Sequence, residues 1–307
     1  MTGARGRRTR LLASLAASLG ASCASVGAGA EEVPLPAPAV EGPVVKLPAD
    51  HHVQVSEPLW ELGVGVAGFR FDDYRGSDHT NTYVLPLPFF VYRGPFLRAD
   101  RDGARAILFS GHRVVVDVSL GASVPTKSKD DGARRGMPDL AGTFEIGPNL
   151  VVELWQASNR NMKVELRMPV REAITLERSP RAIGLTFSPN LNLDIGGLPG
   201  KGNLGFLAGP LFGDQRYHQY FYSVAPEFAT AGRPAYTAPG GYAGWRATTA
   251  FSRRYGNAWF GAFVRYDNLH GAVFGPSPLV RKETTVTAGF GISWIFATSS
   301  QRVLTDD

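Results

Sequence analysis

From Trp60 onward, large apolar residues recur at every second position. Trp60, Leu62, Val64 and Val66 alternate with Glu61, Gly63, Gly65 and Ala67, so one face of this segment is apolar and the other small or charged. The same alternation sets Val114, Val116, Val118 and Leu120 against Arg113, Asp117, Ser119 and Gly121, and Val164, Leu166, Met168 and Val170 against Lys163, Glu165, Arg167 and Arg171. It returns in Ile183, Leu185, Phe187, Leu191 and Leu193 opposite Gly184, Thr186, Asn190, Asn192 and Asp194. Near the end, Val286, Ala288, Phe290, Ile292, Trp294 and Phe296 stand opposite Thr285, Thr287, Gly289, Gly291 and Ser293. No helical period of comparable length competes, so the chain reads as all-β.

Eleven such segments follow one another, at 58–71, 80–92, 95–109, 112–124, 140–157, 162–176, 180–195, 202–213, 241–254, 257–268 and 283–297. At roughly 11–17 residues they exceed the five or six usual in soluble strands and suffice to cross a bilayer at a tilt. Short connections at Ser158–Asn161, Gly196–Gly202 and Tyr255–Asn257 alternate with long ones at 125–139, 214–240 and 269–281. An antiparallel transmembrane β-barrel has this asymmetry, with short periplasmic turns and long external loops. Tyr92, Trp155, Tyr266 and Trp294, near segment ends, suit the aromatic girdles of such a wall. Single-chain bacterial barrels have even strand numbers. Twelve strands are therefore expected, with 95–109 broken at Asp100–Gly103; ten is the alternative, with one segment outside the wall.

Upstream of this region the pattern differs. Residues 1–30 combine Arg5, Arg7, Arg8 and Arg10 with a small-apolar run and end on Ala28-Gly29-Ala30, the arrangement of a secretory signal cleaved between Ala30 and Glu31. That removes four of the 32 basic residues and no acid, leaving 28 basic against 27 acidic, so the formal charge of +5 gives no footing for a nucleic-acid partner. The single cysteine, Cys23, leaves with the signal, and disulfide or thiol chemistry with it. Residues 31–57, dense in proline, read as a periplasmic N-terminal segment, and their His51-His52 pair makes a poor chelate in an extended chain. Residues 58–297 are the expected barrel and 298–307 a C-terminal tail.

Particular stretches add what periodicity cannot. Trp60-Glu61-Leu62-Gly63-Val64-Gly65, Tyr74-Arg75-Gly76-Ser77, Leu85-Pro86-Leu87-Pro88 with Tyr92, Asp139, Gly142-Thr143-Phe144-Glu145 and Gly147 occur in order. They are followed by Tyr220-Phe221-Tyr222-Ser223-Val224, Pro234-Ala235-Tyr236 and Ser277-Pro278-Leu279-Val280. Through these the chain, from about 58 to 296, resembles the MltA-interacting protein (MipA/OmpV) family of Gram-negative outer-membrane proteins. The resemblance implies an outer-membrane location and a scaffold for a lytic murein transglycosylase with a peptidoglycan synthase. Porin-like transport of small solutes and surface adhesion are the alternatives it leaves open.

The residues also have readings of their own. Gly63, Gly65, Gly289 and Gly291 leave the inner face without side chains, relieving crowding or clearing a ligand path. Leu85-Pro86-Leu87-Pro88 removes two ladder donors and suggests an irregular wall or a docking edge. Alternation turns Asp117, Lys163, Glu165, Arg167, Arg171, Asp194, Arg246, Arg265 and Asp267 toward the lumen, a mixed set suited to lining a channel or cross-pairing in a closed interior. Tyr217, Tyr220, Phe221 and Tyr222 form an aromatic loop that can constrict the mouth, pack on the rim or anchor a partner. Gly-x-Ser-x-Gly and His-Glu-x-x-His are absent, and His79, His112, His218 and His270 read as scattered loop residues, so no enzyme, metal or cofactor is expected. Barrels usually end on an aromatic residue; here Phe296 is followed by Ala297 to Asp307, so Trp294 and Phe296 are expected to be an internal signal for the barrel-assembly machinery, with the tail free in the periplasm.

Overall fold

The computed structural model describes residues 55–100, 103–199 and 202–305. The signal cleavage site at Ala30 and Glu31 and nearly all of segment 31–57 lie outside them. The strands are β1 (Val55–Pro58), β2 (Trp60–Asp72), β3 (Thr80–Arg93), β4 (Leu97–Asp100), β5 (Gly103–Ser110), β6 (Val114–Ser123), β7 (Thr143–Gln156) and β8 (Met162–Thr175). They continue with β9 (Ala182–Phe187), β10 (Asn190–Leu198), β11 (Gly202–Gly213), β12 (Gly241–Tyr255), β13 (Ala258–Asn268), β14 (Thr284–Thr298) and β15 (Arg302–Thr305). Among the described residues one α-helix, α1 (Gln215–Tyr222), follows β11.

Strands β2 to β14 form one antiparallel sheet that closes where β14 pairs with β2. The stretch 95–109 is broken between Asp100 and Gly103 into β4 and β5, as an even barrel requires. The stretch 180–195 is also broken, at Ser188-Pro189, yet β9 and β10 both lie between β8 and β11 and fill one place in the wall. The wall is thus a closed barrel of twelve strands. The second break was not read from the sequence, because the apolar alternation resumes on the same face at Leu191.

Side-chain direction follows the alternation. Leu62, Val64, Val66, Leu185, Leu191, Val264, Phe290 and Ile292 are exposed, while Glu61, Gly63, Asp117, Asn192, Asp267 and Ser293 are buried. In water this would be inside out; around a barrel in lipid it is the stable arrangement, because apolar chains face hydrocarbon. Trp245 and Tyr266 pack 5.4 Å apart near one rim, and exposed Trp155, Tyr255, Trp294 and Phe296 stand toward the other.

The two ends differ. One carries the short turns at 94–96, 111–113, 157–161 and 256–257 together with β1 and β15; the other carries the long loops. The largest cluster of buried apolar side chains lies among these loops rather than inside the barrel: Tyr74, Leu140, Tyr222, Val224, Leu269, Phe274 and Leu279 pack together. At the opposite end the expected free tail instead forms β15, which pairs with β1 from Val55↔Thr305 to Pro58↔Arg302. Leu59 N–H donates to the Gln301 carbonyl at 2.9 Å, so the strand partner absent from the sequence pattern is supplied by the chain's other end.

The wall makes a directional prediction. Leu185→Arg, on the lipid face, should cost about 2–4 kcal/mol, read as loss of the heat-modifiable band and a lower urea midpoint. Tolerance of arginine at inward Ser119 is not expected, since Ser119 Oγ already accepts from Arg171 Nε at 2.9 Å. Ser119→Glu, able to pair with Arg171, should cost less than about 1 kcal/mol, whereas Leu185→Glu should not be tolerated. Equal penalties for the two glutamates would overturn the assignment of faces.

Candidate functional site

The family-like stretches that lie in loops, scattered over two hundred positions, meet at the long-loop end, while Trp60–Gly65 and Leu85–Pro88 belong to the wall. Tyr74 Oη donates to the Leu279 carbonyl at 2.8 Å, Tyr222 Oη to the Arg75 carbonyl at 3.0 Å, and Ser277 Oγ to the Tyr222 carbonyl at 2.7 Å. Gly76, with φ of +95°, offers its carbonyl to the N–H groups of Arg281 and Lys282; a side chain there would be strained by the backbone and would meet Leu269. Arg134 donates to the Phe221 and Pro138 carbonyls, and Arg233 to those of Ala133, Arg135 and Phe228, so two arginines sew the β6–β7 and β11–β12 loops together. Asp139 accepts from the Ser128 N–H at 2.8 Å.

Helix α1 is the piece that sequence reasoning missed. Asp214 caps it, accepting from the Tyr217 N–H at 2.8 Å. The signals were present: a capping aspartate, eight residues without proline or glycine, and Tyr217/Phe221 and His218/Tyr222 at a spacing of four. The helix brings Tyr222 flat against Phe274, with ring centroids 3.7 Å apart, and seats His218 edge-on to Phe274 at 4.7 Å. Burial pushes the Tyr222 hydroxyl up to about 12 and holds the His218 imidazole below its ordinary value, with His218 Nδ1 bonded to the Pro239 carbonyl. His218 is therefore a neutral packing residue. His79 bonds instead to Asp73 at 2.9 Å, and His112 and His270 are exposed, so the four histidines form no common centre.

Beneath the loop core, Asp267 is 1% exposed and meets three guanidinium groups: Arg75 at 2.9 Å, Arg246 at 2.9 Å and Arg265 at 3.1 Å. Arg75 was not among the residues singled out from the sequence; it arrives from the β2–β3 loop, which alternation cannot orient. Arg171 stands on β8 with its Nε on Ser119 and Glu145 at 3.9 Å. A second group lies nearer the short-turn end, where Lys163 and Arg167 both reach Glu165 at 2.7 Å and Arg167 reaches Asp194 at 3.6 Å. Asp117 accepts from Asn149 at 3.0 Å. A third group, also unread from the sequence, centres on Glu61, which pairs with Arg93 and Arg254 at the foot of the wall. The charges on the buried face thus engage one another across strands.

The other half of the interior is apolar. A cavity of about 320 Å³ is walled by Phe69, Leu87, Trp259 and Phe263, with Asp194 and Asn203 at its polar side. Gly289 makes room for its rings, since a Cβ there would stand 2.6 Å from Phe263 and 2.8 Å from Phe69.

Two measurements probe this end. Asp267→Asn should destabilise the barrel by about 3 kcal/mol, because three partly buried guanidinium groups lose their shared, buried counter-charge. The depressed His218 value means that the unfolded loop binds a proton more readily than the folded one. The stability this contributes is complete above about pH 6.5 and declines as pH falls below it. Limited proteolysis within 214–240 should accelerate between about pH 7 and 5, and His218→Phe should flatten that dependence. A pH-independent rate in the wild type would remove His218 from this role.

No curated protein matches the chain. Among solved structures, the chain is similar to a bacterial polysaccharide outer membrane secretin, at 10% identity and a TM-score of 0.39, covering 78% of this chain and 99% of that one. It is also similar to OprB from Pseudomonas putida, at 8% identity and a TM-score of 0.31, covering 77% and 94%. A porin matches at 10% identity and a TM-score of 0.28, covering 76% and 100%. The model of the MltA-interacting protein MipA family matches residues 64–296, which contain the wall almost entire and every loop of the buried mouth. The chain belongs to the MltA-interacting protein family, and it is a β-barrel of the outer membrane.

Proposed function

We propose that the barrel is a scaffold for peptidoglycan-remodelling enzymes, a lytic murein transglycosylase and a peptidoglycan synthase, held at its periplasmic end. The family name supports a transglycosylase partner. The observation that carries the reading is the β1–β15 pair: a two-stranded sheet outside the wall, at the end with the short turns, with both outer edges unpaired among the described residues. Such edges accept an added strand from a partner. The sheet is held to the barrel by Arg93, which donates to the Pro58 carbonyl at 3.0 Å and pairs with Glu61 at 2.8 Å. A docked enzyme would therefore be fixed to the wall rather than tethered by a loose tail.

The loop core and the ion pairs favour this reading over conduction. Asp117, Lys163, Glu165, Arg167, Arg171, Asp194, Arg246, Arg265 and Asp267 act here as lumen-facing residues that pair and fill. A channel would need them hydrated and spaced around an open path. Adhesion through the loops draws less support, because the loop side chains are spent on one another, and catalysis has no place in this reading. Trp294 and Phe296, exposed on β14, serve as the signal for the assembly machinery, and the signal peptide ends at Ala30.

The test is a pull-down from solubilised outer membrane. The full chain should retain a murein transglycosylase, and deletion of residues 302–307 should lose it while the heat-modifiable band persists. Phe296→Ala with Trp294→Ala should slow appearance of that band without changing partner capture by the folded fraction. Absence of any murein enzyme from the wild-type capture, together with stepwise conductance in planar bilayers, would replace the scaffold by the channel.

A further inference from the structure

The twelve-strand wall is not paired along its whole height. Among the described residues β3 pairs with β2 throughout, from Trp60↔Tyr92 to Asp72↔Thr80, but with β4 only at Tyr92↔Ala99 and Arg93↔Arg98. On the far side, β5 pairs with β6 from Val115 to Ser119, and Leu120–Ser123 of β6 have no partner toward β5 among the described residues. The short β4–β5 hairpin therefore fills only the periplasmic part of the space between β3 and β6. Above it is a window, closed at the top where Thr126 Oγ1 donates to the Asp73 carbonyl at 3.0 Å and Ser77 Oγ to Asp131 at 2.7 Å.

The window's β3 side is built to stay unpaired. Pro86 and Pro88 cannot donate, so the unbroken ladder to β2 requires the odd-numbered residues of β3 to carry its hydrogen bonds, and the even-numbered residues point their backbone groups into the window. Two of those even positions are the prolines. A strand arriving from a partner or a second copy would miss two consecutive donors, which is how edges are protected against strand addition. The occupant suited to this opening is one that needs no ladder.

What lies behind it names the chemistry. Leu87 belongs both to the unpaired stretch of β3 and to the lining of the apolar cavity. At about 320 Å³ the cavity falls within the range of small-molecule sites, roughly 300–1,000 Å³. On β13, Phe263 of its wall is followed on the same face by Arg265, about 7 Å further toward the loops. Arg265 belongs to the group in which Arg75, Arg246 and Arg265 share the single carboxylate of Asp267, an excess of positive charge. We propose that the window between β3 and β6 admits the acyl chain of an anionic single-chain amphiphile from the membrane into the cavity, with its carboxylate beneath Arg246 and Arg265. This is independent of the scaffold reading.

The experiment uses the full chain in lipid nanodiscs with Trp60, Trp155, Trp245 and Trp294 replaced by phenylalanine, so that Trp259 reports from the cavity wall. Dodecanoate brominated at its terminal carbon should quench Trp259 saturably, and Arg265→Gln should weaken that binding about tenfold while leaving maximal quenching unchanged. Val84→Phe with Ala122→Phe, on exposed positions flanking the window, should slow quenching about tenfold at unchanged final amplitude. A parallel sample with brominated phospholipid identifies the source: saturable quenching there as well means that a bilayer lipid supplies the chain, and its absence means a free fatty acid. A variant retaining only Trp294, on the lipid face, is the control that brominated chains reach the protein. If that control is quenched and Trp259 is untouched by either probe, the proposal is overturned; it is equally overturned if quenching of Trp259 is indifferent to both Arg265→Gln and the flanking phenylalanines.

Discussion

Inside a bilayer no water is available to a stray N–H or C=O, so a strand wall is stable only if each edge meets another. In this protein that requirement is met at the seam by the ladder between β14 and β2, which joins the last long strand to the first, and it is relaxed at the window between β3 and β6. The alternation of side chains then has no freedom left. Leu62, Val64, Phe290 and Ile292 must face lipid, and every charge on the opposite parity must find its partner inside. The shared carboxylate of Asp267, the Lys163–Glu165–Arg167 group and the Glu61 pairings are consequences of closure, since an unpaired charge in that interior would be costly.

Closure also explains why the main apolar core is displaced to one mouth. Half of the lumen is lined by charges, and the large rings of the long loops are buried against each other at the mouth. Tyr222 on Phe274, with Leu279 and Val224 behind them, forms a small globular core resting on the barrel rim. It depends on the wall for its shape, because the loops that build it enter from β2–β3, β6–β7, β11–β12 and β13–β14 at positions the barrel sets.

The wall was legible in the sequence because a period of two survives in every strand and turn lengths report which end is which. Even the split at Asp100–Gly103 could be anticipated from parity. The loop core was not legible: Arg75 and Tyr222 touch only after residues nearly 150 positions apart come together, and no local pattern encodes that distance. Helix α1 was a different kind of miss, a short helix with a clear cap at Asp214 obscured by the long loop around it. The pairing of β15 with β1 was hidden because two segments of four residues are too short to show alternation. Among the interior charges, parity gave direction but not partnership, so Glu61 was read as a charge on the inner face but not as the anchor of two arginines.

The seam where the wall closes shows why glycine recurs on one face there. A Cβ on Gly63 would lie 2.6 Å from the Trp294 carbonyl oxygen, and one on Gly65 closer still to that of Ile292. These are backbone atoms of the neighbouring strand and cannot move aside without breaking the ladder. β14 and β2 therefore coil more tightly than strands bearing inward side chains could, and the shift in register between Ile295 and Ala297 accommodates the remaining twist. The stretch Trp60 to Gly65 is thus more than an amphipathic strand: its outer residues meet lipid, its glycines let the barrel shut, and Glu61 at its foot holds Arg93 and Arg254 where the terminal sheet begins. The aromatic residues Trp294 and Phe296 stand on the other strand of the same seam, on the face that meets lipid.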